Sequence, residues 1–218
     1  MRTARYALLT ALVFWGLWLG YVSHGNIVLK PAQTRAVVFI GDSITNHWDL
    51  PEFIAGYRVI KHGVDGDTTS DMVARFETDV LQASPDMVFI LGGINDIQTA
   101  YMNAPDTMDA ELRKTRDNIG MMTEWARRAD IEPVLCAVLP VGANSALPPE
   151  EINTAVQRLN VFLEEIAGNE KVSYLDLGQA LSYNDRHLLK EEYARPDGLH
   201  ISPYGYQQLT LTVSNFLH

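Results

Sequence analysis

The 218-residue chain reads as an α/β protein built on a parallel sheet covered by helices. Three observations carry that expectation. Brief apolar runs alternate with longer stretches of helical period, the pattern of strands joined by helical crossovers. Each apolar run is short and rich in β-branched residues, as strands buried on both faces are. The composition, 47% hydrophobic and 20% charged, is that of an ordinary globular domain large enough to bury a full core.

The first element stands apart from that pattern. Arg2 and Arg5 precede an uncharged apolar run over residues 6–22, which predicts a hydrophobic helix acting as a signal peptide or membrane anchor over residues 1–25. Its length lies between a signal core and the ~20 residues that span a bilayer. Residues 23–26 offer no Ala-x-Ala site and no lipobox cysteine follows, which favours an uncleaved anchor. Membrane contact would then run through residues 6–22, with Trp15 and Trp18 suited to the interface and the remainder facing outward, exported or periplasmic.

A linker at 26–35 leads to one domain over 36–218. Strands are expected at 36–40, 57–61, 87–91, 134–139 and 172–175, five in all. Helices are expected at 71–82, 109–128, 150–167 and 203–216, the last with Ser202 as N-cap and Pro203 in its first position. Three irregular stretches, 92–107, 141–149 and 178–199, are long enough to be binding loops.

Composition excludes several chemistries. With 17 basic against 27 acidic residues and a net charge of −10, the chain lacks the basic cluster that nucleic acid requires. Cys136, the only cysteine, sits in an apolar strand pattern that keeps a thiol protonated and inert. The six histidines are scattered without metal-ligand spacing, so no metal is expected. Gly92 and Gly93 lack the lysine of a phosphate loop and the third glycine of a dinucleotide fingerprint, so no cofactor is expected either.

Four stretches fall where a doubly wound sheet places its ligand crevice, at strand carboxyl ends or just before the last helix. Gly41-Asp42-Ser43-Ile44-Thr45 puts Ser43 at a strand-to-helix turn. The segment 63–69 holds glycines whose N–H can face a developing oxyanion, and Asn95, in the segment 92–96, offers an amide to the same oxygen. The spacing of Asp197 and His200 lets a carboxylate orient an imidazole whose other nitrogen faces the serine. Each stretch alone reads as an ordinary turn or helix cap. Together, in one order and at matching topological points, they supply nucleophile, oxyanion donors, base and orienter.

In that order they resemble the signature blocks of the SGNH, or GDSL-type, hydrolase family of esterases and lipases, over Ala36 to the carboxyl terminus. The resemblance implies a three-layer α/β/α flavodoxin-like sandwich with a five-stranded parallel sheet. It implies Ser43 as nucleophile, His200 as base, Asp197 as its orienter, and an oxyanion hole of the Ser43 N–H, Gly66 and Asn95. The expected substrate is a small-molecule ester or an ester of lipid or glycan. A rival base is His47, four residues after Ser43 and on its face if the helix starts at the serine. Acyl transfer by the same acyl-enzyme is the alternative reaction, and an inactive membrane-tethered scaffold the alternative class.

Overall fold

The computed structural model describes residues 34–183 and 187–218; the candidate anchor at 6–22 lies outside them. The sheet contains β1 (Ala36–Gly41), β2 (Phe53–Ile54), β3 (Tyr57–Gly63), β4 (Met87–Leu91), β5 (Glu132–Cys136) and β6 (Ser173–Leu175), in the order β2-β3-β1-β4-β5-β6. All pairs are parallel except β2 with β3. Without β2, the order is that of a flavodoxin-like doubly wound sheet. The sheet therefore has six strands, not five. The extra one is a two-residue antiparallel edge too short to show an alternating pattern, formed where residues 53–58 fold back through Ala55 (φ 49°) and Gly56 (φ 84°).

The helices are α1 (Ser43–Asn46), α2 (Thr69–Phe76), α3 (Ile94–Asn103), α4 (Met108–Arg128), α5 (Pro149–Glu170) and α6 (Pro203–Leu217). Every residue of β1 and β4 is buried, because both faces of the sheet are covered. On one face Val38, Ile40, Val88, Ile90 and Leu135 pack against the apolar sides of α2 to α5. Their partners recur at helical spacing: Leu112, Ile119 and Met122 on α4, and Ile152, Val156, Leu159 and Leu163 on α5. On the other face Phe39 stacks on Phe89 at 4.6 Å between centroids, and Trp48, Leu209 and Val213 close the layer. Full burial of each such side chain is worth about 1.5–3 kcal/mol, so the two layers are the main source of stability.

Boundaries differ from expectation where tertiary contacts replace local ones. The strand expected to reach residue 139 stops at Cys136. Beyond it, Asn160 bonds both backbone groups of Val138 (2.8 and 3.0 Å), and Asn153 does the same for Val141. Two side chains of α5 thus stand in for a missing sheet neighbour. Helix α2 begins at Thr69, with Thr68 and Asp71 forming a reciprocal capping box, and it continues as a π-helical turn, Glu77–Leu81. The stretch 92–107, expected to be irregular, contains α3. It has no side-chain cap at its start, so no N-cap signal preceded it in the sequence. A small hairpin, β7 (Ser182–Tyr183) with β8 (Leu188–Leu189), lies within the stretch 178–199. Among the described residues no helix is long and apolar enough to cross a membrane.

Candidate active site

Strand register brings the first three stretches level. Gly41 at the end of β1 pairs with Gly63 on one side and Leu91 on the other, so the chain leaves three adjacent strands at one height. Gly63 is required there because a Cβ would lie 2.1 Å from the Asn46 N atom, where β3 passes under α1. The last helix supplies the other wall. Tyr206 donates to the Ile44 carbonyl at 2.8 Å and the Trp48 indole to Thr210 at 2.9 Å, fixing α1 against α6.

Ser43 is the first residue of α1 and is only 8% exposed. Asp42 caps that helix by accepting from the Ile44 N–H at 2.9 Å. Burial pushes the Asp42 carboxyl up to about 7, against the lowering effect of that bond. Across the crevice, the His200 Nε2 is 3.0 Å from the Ser43 Oγ, and its Nδ1 is 2.8 Å from an Asp197 oxygen. The second Asp197 oxygen accepts the backbone N–H groups of Leu199 (2.9 Å) and His200 (2.8 Å). Partial burial opposes ionisation of Asp197, but these bonds outweigh it and hold its carboxyl below the usual carboxylate range. A carboxylate on Nδ1 sets that nitrogen as the donor, which leaves Nε2 to accept the serine proton.

Gly66 lies on an exposed turn at φ +81°, a conformation that side chains disfavour, after β3 and before the cap of α2. Asn95, in the first turn of α3, donates from Nδ2 to the Asp67 carbonyl at 2.9 Å. An amide nitrogen carries two hydrogens, so one remains for another oxygen. Asp96, buried beside it, accepts the backbone N–H and hydroxyl of Thr69, which fastens α3 to the start of α2. Burial raises the Asp96 carboxyl despite those bonds. The rival base His47 follows α1 as its C-cap; its Nε2 lies 3.3 Å from Asp65 and its ring centroid 5.5 Å from that of His200.

Two spaces flank these groups. Asp42, Ile44, Leu91, Ile94, Val138 and Leu199 enclose a cavity of only about 10 Å³. On the His200 side a groove of about 650 Å³ opens between His47, Asp49, Arg195, Tyr206, Gln207 and Thr210. Residues that sequence reasoning did not single out hold the site together: Arg75, Asp67, Asp96 and Tyr206. Their signal is a hydrogen bond across 27 to 162 residues, which no local spacing reveals.

A model of the GDSL-like lipase/acylhydrolase family matches residues 39–208, which contain Ser43, Gly66, Asn95, Asp197 and His200. Over 121 residues the chain is 28% identical to an uncharacterized lipoprotein, YqeF, of Bacillus subtilis (strain 168), covering 48% of this chain and 49% of that protein. Over 46 residues it is 46% identical to an acetylxylan esterase of Geobacillus stearothermophilus, 21% of either chain. It thus spans half or less of the length of these two curated relatives. Among solved structures, a GDSL-like lipase from Bacteroides thetaiotaomicron superposes with a TM-score of 0.70 at 27% identity, over 84% of this chain and 88% of that one. The acetyl-xylooligosaccharide esterase Axe2 of Geobacillus shares the fold, with a TM-score of 0.68 at 20% identity over 85% and 94% of the two chains. With the family model spanning most of its length, the chain belongs to the GDSL-like lipase/acylhydrolase family.

Proposed function

We propose that the protein is a serine esterase that removes a short acyl group from a hydrophilic alcohol outside the cytoplasm. The observation that carries this reading is the relay from Ser43 Oγ through His200 to Asp197, at 3.0 and 2.8 Å. His200 takes the hydroxyl proton as Ser43 attacks the ester carbonyl, and Asp197 stabilises the imidazolium. The tetrahedral oxyanion meets the Ser43 and Gly66 N–H groups and the free hydrogen of the Asn95 amide. His200 then returns its proton to the departing alcohol, and water deacylates the enzyme by the same route.

The small size of the cavity beside the Ser43 turn, about 10 Å³ between Ile44, Leu91, Ile94, Val138 and Leu199, supports a short acyl group over a long one. The 650 Å³ groove sets the hydrogen-bonding groups of Asp49, Arg195, Gln207 and Thr210 among the apolar surfaces of Pro203, Tyr206 and Leu211, a mixed lining that supports a sugar or similar polyol as the alcohol. The segment match to an acetylxylan esterase agrees with both. Arg2, Arg5 and the apolar run 6–22 support export with retention at a membrane, in keeping with the likeness to a lipoprotein.

Hydrolysis of p-nitrophenyl acetate, butyrate, octanoate and palmitate, beside Ser43→Ala, tests the reading. Activity should fall steeply beyond butyrate and vanish with Ser43. A preference for palmitate would overturn the short-acyl assignment, and full activity of Ser43→Ala would overturn the mechanism.

A further inference from the structure

The geometry points to Arg75 as the positioning residue that ties the Gly66 turn to the strand end carrying Ser43, an inference that rests on the esterase reading. Arg75 lies on α2, well away from the reacting atoms in sequence. Its guanidinium nonetheless spans three parts of the site. Nη2 donates to the Gly41 carbonyl at 2.8 Å, two residues before Ser43. Nε donates to the Asp67 carboxylate at 2.6 Å, one residue after Gly66. Nη1 reaches the His62 carbonyl at 3.1 Å and Asp79 at 2.5 Å, holding the end of β3.

The Asp67 residue that Arg75 grips by its carboxylate is held again by its carbonyl, through the Asn95 amide. One cation therefore sets the spacing of both proposed oxyanion donors from the serine turn. Its side chain is 18% exposed, and those of Asp67 and Asp79 are 12% and 23% exposed, so these charge-assisted bonds are largely shielded from water. A guanidinium has five donors in a rigid fork and serves two carboxylates and two carbonyls at once; an ammonium has one charged centre and three donors. Oxyanion donors act only if they are in place before charge develops, and a shift of about 1 Å can cost on the order of 10²-fold.

The test uses the full chain with Arg75→Met, Arg75→Lys, Asp67→Ala and the double variant Asp67→Ala/Arg75→Met. Each is assayed on p-nitrophenyl acetate at a temperature where melting curves show it folded. Arg75→Met should lower kcat by about 10–100-fold with KM within about twofold, the pattern of an interaction used in the transition state. Arg75→Lys should fall between it and the wild type, and the double variant should cost little more than Arg75→Met, because the two residues act as one unit. Should Arg75→Met not fold, Asp67→Ala carries the same expectation. A folded variant with wild-type kcat overturns the proposal, as does a loss equal to the unfolded fraction. If Ser43→Ala proves as active as wild type, the esterase reading fails instead. The clamp is then judged by amide exchange: faster exchange over residues 64–69 in Arg75→Met supports it, and unchanged exchange ends it.

Discussion

Two histidine–aspartate pairs lie side by side in this crevice, and they differ in what their second nitrogen meets. His200 bonds Asp197 through Nδ1 and reaches Ser43 Oγ through Nε2, at 2.8 and 3.0 Å. His47 bonds Asp65 through Nε2 at 3.3 Å, and its Nδ1 has no partner among the described residues. The rings are 5.5 Å apart. His47 is four residues from Ser43 and His200 is 157 away, yet the distant one faces the hydroxyl. A short helix that starts at the serine carries His47 toward the Gly66 turn. There Asn46 also holds the Asp65 carboxylate, at 2.8 Å, and these contacts keep it below the usual carboxylate range, the Asn46 bond foremost. Proximity in sequence, even at helical spacing, does not bring an imidazole to the hydroxyl; the ring from the loop before the last helix is the one that faces it.

The comparison breaks most sharply at His200, the proposed base. His200→Ala should lower kcat on p-nitrophenyl acetate by about 10³–10⁴-fold, whereas His47→Ala should lower it less than about tenfold. The reverse order would transfer the role to His47. Asn95→Ala comes next, with an expected loss of about 10²–10³ in kcat and little change in KM, read from full Michaelis curves. Asp197→Ala should cost about 10²-fold, less than removing the imidazole. Its side chain is half exposed, so water partly replaces the carboxylate, and the backbone bonds at 199 and 200 are lost with it.

The smallest effect on turnover, and a distinct one on stability, belongs to Asp42, the buried carboxylate beneath the serine turn. Its folded-state value of about 7 exceeds the ordinary 3.8. Between those values the folded protein binds the extra proton, so stability is greatest below about pH 4 for this group and declines as pH rises to about 7. Asp42→Asn keeps an acceptor for the Ile44 N–H and removes the charge. Thermal melts should show that decline flattened and a melting temperature several degrees above wild type at pH 8, with the two proteins converging near pH 4. An unchanged pH profile would mean that Asp42 is ionised in the fold.

Several features were legible in the residues. Strands β1 and β4 are uninterrupted β-branched and aromatic runs because both faces are buried, and their centres were predicted within a residue or two. Ser202 and Pro203 marked the start of α6, where the Ser202 hydroxyl accepts from Gly205 at 3.1 Å. The turns holding Ser43, Gly66, Asn95 and His200 stood out because each follows a strand or precedes a helix in a doubly wound order. Helix α3 was not legible: Gly93 at φ +124° starts it without a cap, so its two leading glycines read as loop. The end of β5 was not legible either, since Asn153 and Asn160 look like ordinary polar positions of a helix.

The sequence by itself determined the alternation of elements, the buried runs and the four chemical turns, because these follow from hydrophobic period and the φ/ψ preferences of single residues. Only the tertiary structure decided that Gly41, Gly63 and Leu91 stand level, that His200 rather than His47 faces Ser43, and that Arg75 joins the Gly66 turn to β1. Those outcomes depend on strand register and on hydrogen bonds between groups tens to hundreds of residues apart, which form only once the sheet has closed on its helices.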